Sequence, residues 1–178
     1  MKTKTINLYE YEELLPEAKE KALAHYREHN FEPFGLQVHL DNEIQTLLEQ
    51  HGIKPISTAD KKYDSKYAQI YYSLSSCQGD GVMFEGTFTW NGYTVNIKRA
   101  GRYYHSNSKC VEITDEEGNT VDTEEPYTAF EAIYQSICKE LERQGYDYIE
   151  DMESEAYFIE LCNDNGYTFR EDGTMENN

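Results

Sequence analysis

The feature that most constrains the fold is the stretch between residues 67 and 122, where apolar and polar residues alternate. Alternation with a period of two is typical of β-strands that bury one face. Two alternating runs, one ending at Trp90 and one starting at Tyr93, are joined by Asn91-Gly92, a strong signal for a β-hairpin. The stretch therefore predicts a meander of antiparallel strands with one apolar face, which we expect helices to cover.

Two amphipathic helices are predicted before the meander. A short strand at Thr5–Tyr9 leads to the first helix, which starts near Pro16, where the missing N–H of proline costs least. Its expected core face consists of Leu15, Ala18, Ala22, Tyr26 and His29. The second helix is expected from about Gly35 to His51, with Gly52 as its cap. Its expected buried stripe is Leu36, Leu40, Ile44 and Leu47.

The last third of the chain predicts two further helices, both rich in acidic residues. Apolar side chains recur at helical spacing over residues 127–141, and Gly145 is expected to end this helix. A second run, over 148–161, predicts another helix that stops at Asn165-Gly166. After it we expect a short strand at 167–170 and a frayed end at 172–178.

Together these elements predict an α+β fold with an antiparallel sheet of four to six strands. Two N-terminal helices and two acidic C-terminal helices are expected to pack on that sheet. The length of 178 residues is typical of one domain, and we predict a single domain over residues 1–178. Its expected parts are a strand with two helices (1–53), the meander (67–122) and the acidic helices (126–165).

The charge of the chain is concentrated near its C-terminal end. The formal net charge is −18, and residues 112–178 hold 20 acidic and 3 basic residues, a net charge of −17. Phosphate contacts need Lys and Arg, so this region is not expected to bind nucleic acid. It can instead face the basic groove of a nucleic-acid-binding protein, or it can be a solvated surface, and both alternatives remain open. The candidate partner-binding residues are Glu131, Glu140, Glu142, Glu150, Asp151, Glu153 and Glu155.

Three observations bear on where the protein acts. No run of 18 apolar residues occurs, so no membrane span is expected. The first four residues, Met1-Lys2-Thr3-Lys4, lead into a polar strand rather than the apolar core of a signal peptide. The four cysteines are scattered without a C-x-x-C pair, which is typical of reduced thiols. We therefore expect a cytoplasmic protein.

The most distinctive motif is Gln78, Gly79, Asp80 and Gly81, between two predicted strands. Two glycines around an aspartate permit a tight turn with positive φ and an exposed carboxylate. The backbone amides of such a turn can bind an anion or a ligand group. The alternative interpretation is a turn with no function beyond joining the strands.

A basic and aromatic cluster spans residues 98–105 and includes Lys98, Arg99, Arg102, Tyr103 and Tyr104. Basic and aromatic side chains on a strand can clamp and stack single-stranded nucleic acid. The alternative is an edge strand whose charges prevent association with another sheet.

Motifs for catalysis or metal binding are weak in this sequence. His25 and His29 fit H-x-x-E-H, but a packed or C-terminal-turn histidine is the better interpretation of His29. The acidic residues 115–117 precede Gly118 as in a calcium loop, but Ile113 stands where the first ligand belongs, which favours a plain hairpin turn. No G-x-S-x-G, P-loop or G-x-G-x-x-G motif occurs. We expect no catalytic residues, no metal, no cofactor and no enzymatic activity.

The motif at 78–81, with Phe84 and Gly86 after it and Ser73 or Ser75 before it, resembles a pattern found in uncharacterised accessory proteins of bacteriophages and prophages. The opening of the chain, residues 6–22, is also similar to that of such phage proteins. That family has no assigned activity, so no functional residues carry over. The resemblance implies a viral protein acting in the cytoplasm of a bacterial host.

The leading hypothesis combines this origin with the charge. It is an inhibitor of a host nucleic-acid-binding defence complex, of anti-CRISPR or anti-restriction type, which acts through an acidic surface that mimics nucleic acid. Its expected partner is a host protein with a basic groove, such as a CRISPR effector or a nuclease, with no direct contact to nucleic acid. The alternative is a small nucleic-acid- or ligand-binding module that uses the 98–105 strand and the Gly79–Gly81 loop.

Overall fold

The structure is a computed structural model that describes residues 6–29, 33–56 and 68–176. It is an α+β fold, as predicted, with four α-helices and a five-stranded antiparallel sheet in the described part of the chain. The helices are α1 (Pro16–His29), α2 (Pro33–Gln50), α3 (Glu124–Met152) and α4 (Glu155–Asn165). The strands are β1 (Lys54–Pro55), β2 (Gln69–Ser73), β3 (Gly81–Trp90), β4 (Tyr93–Arg99), β5 (Lys109–Thr114), β6 (Thr168–Phe169) and β7 (Met175–Glu176).

The chain divides into two compact units. Unit 1 combines the two chain ends, Met1–Pro33 and Asp147–Asn178, and unit 2 is the continuous segment Phe34–Tyr146. The sequence predicts a single domain, and that assignment stays a prediction.

The sheet of unit 2 is the predicted meander, built around β3. This strand pairs with β4 on one side and with both β1 and β2 on the other, while β5 pairs with the far side of β4. The hairpin between β3 and β4 turns at Asn91 and Gly92, whose φ angles of 48° and 84° are those that an Asn-Gly turn supplies. Strand β1 lies within residues 54–66, for which the sequence predicts a loop; most of that segment is outside the described residues.

Helix α3 covers the apolar face of this sheet. The rings of Tyr134 and Phe84 lie 4.6 Å apart, and those of Phe130 and Trp90 lie 5.3 Å apart. The Tyr134 hydroxyl also donates to the backbone oxygen of Phe84 at 3.0 Å, which satisfies a buried polar group. The opposite face of β3 carries Glu85, Thr87 and Thr89, as the alternation predicts, but also Met83, which is fully buried.

Helix α2 has the predicted buried stripe with one change. Leu36, Leu40 and Ile44 are buried, but the fourth buried position is Leu48 rather than Leu47, which is half-buried. The helix ends at Gln50, and Gly52 follows with a φ of 67°, so the expected cap residue is in place.

The prediction that Gly145 ends the first acidic helix is wrong. Helix α3 continues through Gly145 to Met152, and Gly145 itself is buried. A Cβ at this position would collide with Leu74 Cδ1 and would lie 3.7 Å from Leu40 Cδ2. Glycine leaves room for the Leu74 side chain where α3 passes close to it. The break falls instead before α4, where the Ser154 hydroxyl accepts from the backbone N–H of Tyr157 at 3.1 Å.

Unit 1 has an aromatic core drawn from both ends of the chain. Tyr11 lies in a short 3-10 helix, Tyr11–Glu13, and its ring packs edge-on against Phe158 and Phe169 at 5.0 Å and 5.9 Å. Phe158 also stacks on Tyr26 of α1 at 4.7 Å. Helix α4 ends at Gly166, whose left-handed φ of 63° confirms the predicted stop.

Three expectations for unit 1 are wrong. Residues 6–9 form no regular strand, because only Tyr9 pairs, through an isolated bridge to Phe169. Residues 172–176 are not frayed: Asp172 binds Lys21 at 2.8 Å, and β7 pairs with β6. On α1, Leu15 and the His29 side chain are exposed at 68 % and 54 %, so the buried face comprises Ala18, Ala22, Leu23 and Tyr26.

Among the residues that the structure describes, no helix combines the length and the apolar character needed to cross a membrane.

Candidate binding surfaces

The motif at 78–81 forms the turn between β2 and β3 and is organised by the Asp80 carboxylate. Its Oδ2 atom accepts hydrogen bonds from the backbone N–H groups of Ser75 at 2.6 Å and Cys77 at 2.9 Å. The hydroxyl of Tyr146, on α3, donates to the same oxygen at 2.9 Å. The carboxylate therefore links the turn to α3.

These contacts also fix the charge of Asp80. Partial desolvation raises the pKa of its carboxyl, but two backbone N–H groups and the hydroxyls of Ser73 and Tyr146 together lower it, so that the pKa lies well below its ordinary value of 3.8. The group is ionised at neutral pH, with its oxygens occupied by donors from the protein. The amides of Ser75 and Cys77 bind this half-buried internal anion, so these two N–H groups do not face an external ligand.

The two glycines of the motif are needed because a second loop packs on them. Gly79 and Gly81 have φ angles of 104° and 156°. A Cβ on Gly79 would lie 3.2 Å from the Tyr103 ring, and one on Gly81 would lie 2.8 Å from the His105 Cβ. Tyr103 and His105 belong to the loop between β4 and β5, which approaches the turn this closely only because glycine has no side chain.

A group of stacked side chains joins β2, the end of β4 and the same loop. The rings of Tyr71 and Tyr104 lie 5.7 Å apart with their planes at 19°. The Arg99 guanidinium lies over both, 5.0 Å and 5.5 Å from their centres. Glu85 accepts from the Tyr71 hydroxyl at 2.8 Å and from the Arg99 backbone N–H at 3.1 Å. Cation–π contacts and hydrogen bonds to a carboxylate thus fix this arrangement.

We call the set Tyr71, Arg99, Tyr103, Tyr104 and His105 the aromatic platform. The ring of Tyr103 stacks on His105, with centres 5.8 Å apart, and 53 % of Tyr103 is exposed. Through Tyr103 and His105, the platform packs against the glycine-rich turn at 78–81. The basic and aromatic cluster and the turn, which lie apart in the sequence, are therefore neighbours in the structure.

The strand registers place part of this platform on the face of the sheet opposite α3. Ile70 pairs with Phe84, which contacts α3, so Tyr71 points to the other face, together with Glu85. Lys98 lies on that face too, because it alternates with the buried Ile97. The platform therefore lies on the face of the sheet opposite α3, where Met83, the cross-strand partner of Tyr71, is fully buried.

The cluster at 98–105 is not an edge strand. Lys98 and Arg99 end β4, which has β3 on one side and β5 on the other. Arg99 pairs in register with Lys109, and the residues between them form a loop. Protection of a sheet edge therefore does not account for these charges.

Two of the predicted partner-binding residues in unit 2 are engaged in ion pairs. Glu131 binds the Lys109 ammonium at 2.8 Å, and the Lys109 side chain is only 6 % exposed. Hydrogen bonds from Gln135 and Lys109 outweigh desolvation and lower the pKa of Glu131. Glu140 pairs with Arg143 at 2.7 Å on α3 itself.

Glu142, the third of these residues, lies in a groove of about 740 Å³ between α3 and the β4–β5 loop. Lys139 and Arg143 line the same groove. On a helix, positions two residues apart point about 200° from each other, so Glu140 and Glu142 lie on different flanks of α3. Glu140 and Glu142 therefore do not belong to one negative surface on this helix.

The other four predicted residues belong to unit 1. Glu150 and Asp151 are exposed, and neither makes an ion pair with any residue that the structure describes. Glu153 is half-buried, and its backbone oxygen accepts from Arg27 at 2.8 Å. Glu155 accepts from the Tyr11 hydroxyl at 3.0 Å, which leaves it only partly available to a partner.

Unit 1 is the more acidic of the two units. It contains 17 acidic and 6 basic residues in its two segments, a net charge of −11, against 17 acidic and 10 basic residues in unit 2. On the described helices of unit 1, exposed carboxylates include Glu17, Glu20, Glu28, Glu150, Asp151, Glu160 and Asp164.

The weak metal motifs have structural explanations. The rings of His25 and His29 stack at 4.4 Å, and His29 Nδ1 lies 3.0 Å from the His25 backbone oxygen. Asp115 accepts from the Asn119 backbone N–H at 2.8 Å, which makes the segment the predicted hairpin turn. Within the described ranges, no group of three or more His, Cys, Asp or Glu side chains could hold a metal ion.

The four cysteines are free thiols. Cys138 and Cys162 are buried, and burial raises the pKa of Cys162 to about 11. A thiol with a raised pKa is protonated at neutral pH and is a poor nucleophile. The absence of enzymatic activity stays a prediction.

Sequence reasoning missed Tyr71, Glu85 and Tyr146 as parts of these surfaces. Tyr71 is recognisable only as a polar-face residue of a predicted strand, and the other two lie 14 and 66 residues from their partners Tyr71 and Asp80. No local pattern links residues that far apart, so only the tertiary structure identifies them.

The fold and these surfaces define an α+β protein with an acidic unit and an aromatic platform on a separate sheet-based unit. No protein-family model, no curated protein and no solved structure matches the chain. The resemblance to phage accessory proteins therefore remains a prediction from the motif at 78–81.

Proposed function

We propose that this protein is a phage-encoded inhibitor of a bacterial nucleic-acid-binding defence complex, of anti-CRISPR or anti-restriction type, acting in the host cytoplasm. In this proposal the acidic surface of unit 1 occupies a basic groove in place of nucleic acid. The observation that supports it most is the excess of 17 acidic over 6 basic residues in unit 1. The resemblance of the glycine motif to phage proteins supports the viral origin.

Electrostatics explains why such a surface can compete with nucleic acid. A groove that binds phosphates presents Lys and Arg, and carboxylates on a rigid helix can meet the same cations. Concentrated negative charge also steers the encounter with a basic partner and raises the association rate. The cost is self-repulsion within unit 1, which binding to a cationic groove would relieve.

The proposed contact residues differ from the sequence-based set. Glu131 and Glu140 form ion pairs within unit 2, so the proposed contact set leaves them out. Glu150 and Asp151 are retained because they are exposed, and Glu160 of α4 joins them for the same reason. Glu155 is a weaker candidate because it already binds Tyr11.

The first experiment uses the full chain as bait in a bacterial lysate at low salt, followed by elution at high salt and with an oligonucleotide. We expect one basic nucleic-acid-binding protein to be retained and then released by both treatments. Release by the oligonucleotide is the informative step when a bait with Tyr103→Ala behaves in the same way, because it then shows that bait and nucleic acid compete for one groove of the partner. Purification of that protein then permits a measured affinity.

The decisive variant reverses three charges in unit 1: Glu150→Lys, Asp151→Lys and Glu160→Lys. We expect its affinity for the purified target to fall at least about tenfold, because like charges would then face the groove. Calorimetry or surface plasmon resonance measures the change, and circular dichroism checks the fold.

The matched control reverses three exposed acids of unit 2, Glu116→Lys, Glu117→Lys and Asp122→Lys, and changes the net charge by the same amount. We expect this control to bind nearly as tightly as the wild type. An equal loss in both triple variants would mean that only net charge matters. Unchanged binding of the unit 1 variant would exclude its acidic surface as the interface.

A further inference from the structure

We propose that the aromatic platform of unit 2 is a binding surface for single-stranded nucleic acid. The inference does not depend on the acidic surface of unit 1. It rests on the exposed ring of Tyr103, on the local charge of the platform and on the internal contacts that hold the two loops.

The rings of the platform are suited to stacking on bases. Tyr103 is 53 % exposed, and its ring rests on His105 and against Gly79. Tyr71 and Tyr104 are half-buried and stacked on each other. Every base offers a flat face, so an exposed aromatic ring held by its neighbours binds single strands with little dependence on sequence.

The charge around the platform is opposite to that of the rest of the chain. Residues 86–111 contain no acidic residue and four basic ones, in a protein with 34 acidic residues. Lys98, Arg99 and Arg102 are exposed, and they lie within or next to the platform. Two acids flank this stretch: Glu85 is engaged with Tyr71 and Arg99, and Glu112 is exposed on β5, opposite Asn96. Three cations beside stacked rings are complementary to a phosphodiester chain with unstacked bases.

Internal contacts hold the platform in place without a ligand. Asp80 fixes the turn between β2 and β3, and the glycines of that turn seat Tyr103 and His105. Arg99 is held over two rings at 5.0 Å and 5.5 Å. Little conformational entropy is therefore lost on binding, which favours affinity.

A single strand fits these features better than a duplex or an acidic peptide. In a duplex the bases stack on each other and are not offered to a protein ring. An acidic peptide would use the cations but not the exposed rings. Because only three cations adjoin the platform, we expect a shallow dependence on salt, with a slope of log affinity against log salt of about −2.

The test measures fluorescence anisotropy of labelled oligo(U) RNA and oligo(dT) DNA, each of about ten nucleotides, with the full-length protein. Tyr103→Ala is expected to weaken binding about five- to tenfold, while Tyr103→Phe keeps the ring and should bind like the wild type. Arg102→Gln should weaken binding and make the salt slope shallower. Lys54→Gln is the matched control, because Lys54 is an exposed cation on β1 outside the platform.

The result can overturn the proposal in three ways. It is overturned if the wild type shows no saturable binding, or if Tyr103→Ala binds as tightly as the wild type. It is also overturned if polyglutamate displaces the probe at the same charge concentration as unlabelled oligo(dT). Saturable binding of RNA, DNA or both, lost in Tyr103→Ala, supports it, and the ratio of the two affinities shows whether the sugar is recognised. The triple variant of unit 1 should keep this binding, which separates the outcome from that of the proposed inhibitor function.

Discussion

At the scale of single residues, Asp80 shows how internal hydrogen bonds can engage a carboxylate that the sequence suggests is exposed. Its carboxylate accepts from two backbone N–H groups and from hydroxyls on β2 and α3. The Asp80 carboxylate thus binds backbone N–H groups that an external anion would otherwise use. Asp80 therefore has a structural role: it holds the turn against which Tyr103 and His105 pack.

We predict that Asp80→Asn lowers the free energy of unfolding at neutral pH by about 1–3 kcal/mol, because donors that face a carboxylate would meet an amide. Urea denaturation measures the change. Asp122→Asn, an exposed position in the same unit, is the control and should change it little. A similar change in both variants would contradict the assigned role.

The pH dependence has a definite sign. The pKa of Asp80 is lower in the folded protein than its ordinary value of 3.8, so its stabilising contribution is complete above that pH and is lost as the pH falls below it. The difference between the wild type and Asp80→Asn should therefore be constant from pH 7 to about pH 5 and should shrink below about pH 3.8.

At the scale of elements, α3 shows that tertiary packing can override local propensity. A glycine inside a helix costs about 1 kcal/mol relative to alanine, which is why Gly145 predicts a break. The helix nevertheless continues to Met152, and the missing side chain leaves room for Leu74 Cδ1. The residue with the poorest helix propensity short of proline thus stands at a close contact between α3 and its neighbour.

A double-mutant cycle tests this explanation. We expect Gly145→Ala to destabilise the wild type, since the added methyl group overpacks the contact with Leu74. In a Leu74→Ala background the same change should be neutral or stabilising by up to about 1 kcal/mol, because only the helix propensity remains. Thermal or urea unfolding gives the coupling free energy. A Gly145→Ala effect of the same sign and size in both backgrounds would show that the two residues do not interact.

At the scale of the whole molecule, the chain forms two compact units with different compositions. Unit 1 draws its core from both chain ends, where Phe169, near the end of the chain, contacts Tyr11 near its beginning. Unit 2 builds its core from one continuous segment, with Phe88 buried under the sheet. The acidic surface belongs to the first unit and the aromatic platform to the second, so the two proposed binding surfaces can be tested separately.

This division predicts where core mutations act. Phe169→Ala should cost about 3–5 kcal/mol and should speed amide hydrogen exchange first in α1 and α4, because it leaves a cavity against Tyr11 and Phe158. Phe88→Ala, the matched variant of unit 2, should speed exchange first in β3 and β4. Exchange that rises to the same extent throughout the chain in both variants would show that the two cores do not open separately.

Much of the fold could be predicted from the sequence because its signals are local. The period of two over the meander, the Asn91-Gly92 turn and the apolar stripes of α2 and α3 all lie within a few residues of each other. Local signals of this kind predict the α+β class, the hairpin and the helix end at Gly166, and the structure confirms all three. The concentration of negative charge near the C-terminal end is likewise a property of the sequence alone.

The tertiary structure decided what depends on contacts between distant residues. It showed that Gly145 is a packing position, that Glu131 pairs with Lys109 and that residues 172–176 are ordered. It also joined Tyr71, Arg99 and Tyr104 into one stack across separate segments. Local patterns determine which elements form, because propensity and hydrophobic period act over neighbouring residues. Which side chains meet is determined only when the strands and helices pack, since burial and ion pairing act between segments that the sequence leaves far apart.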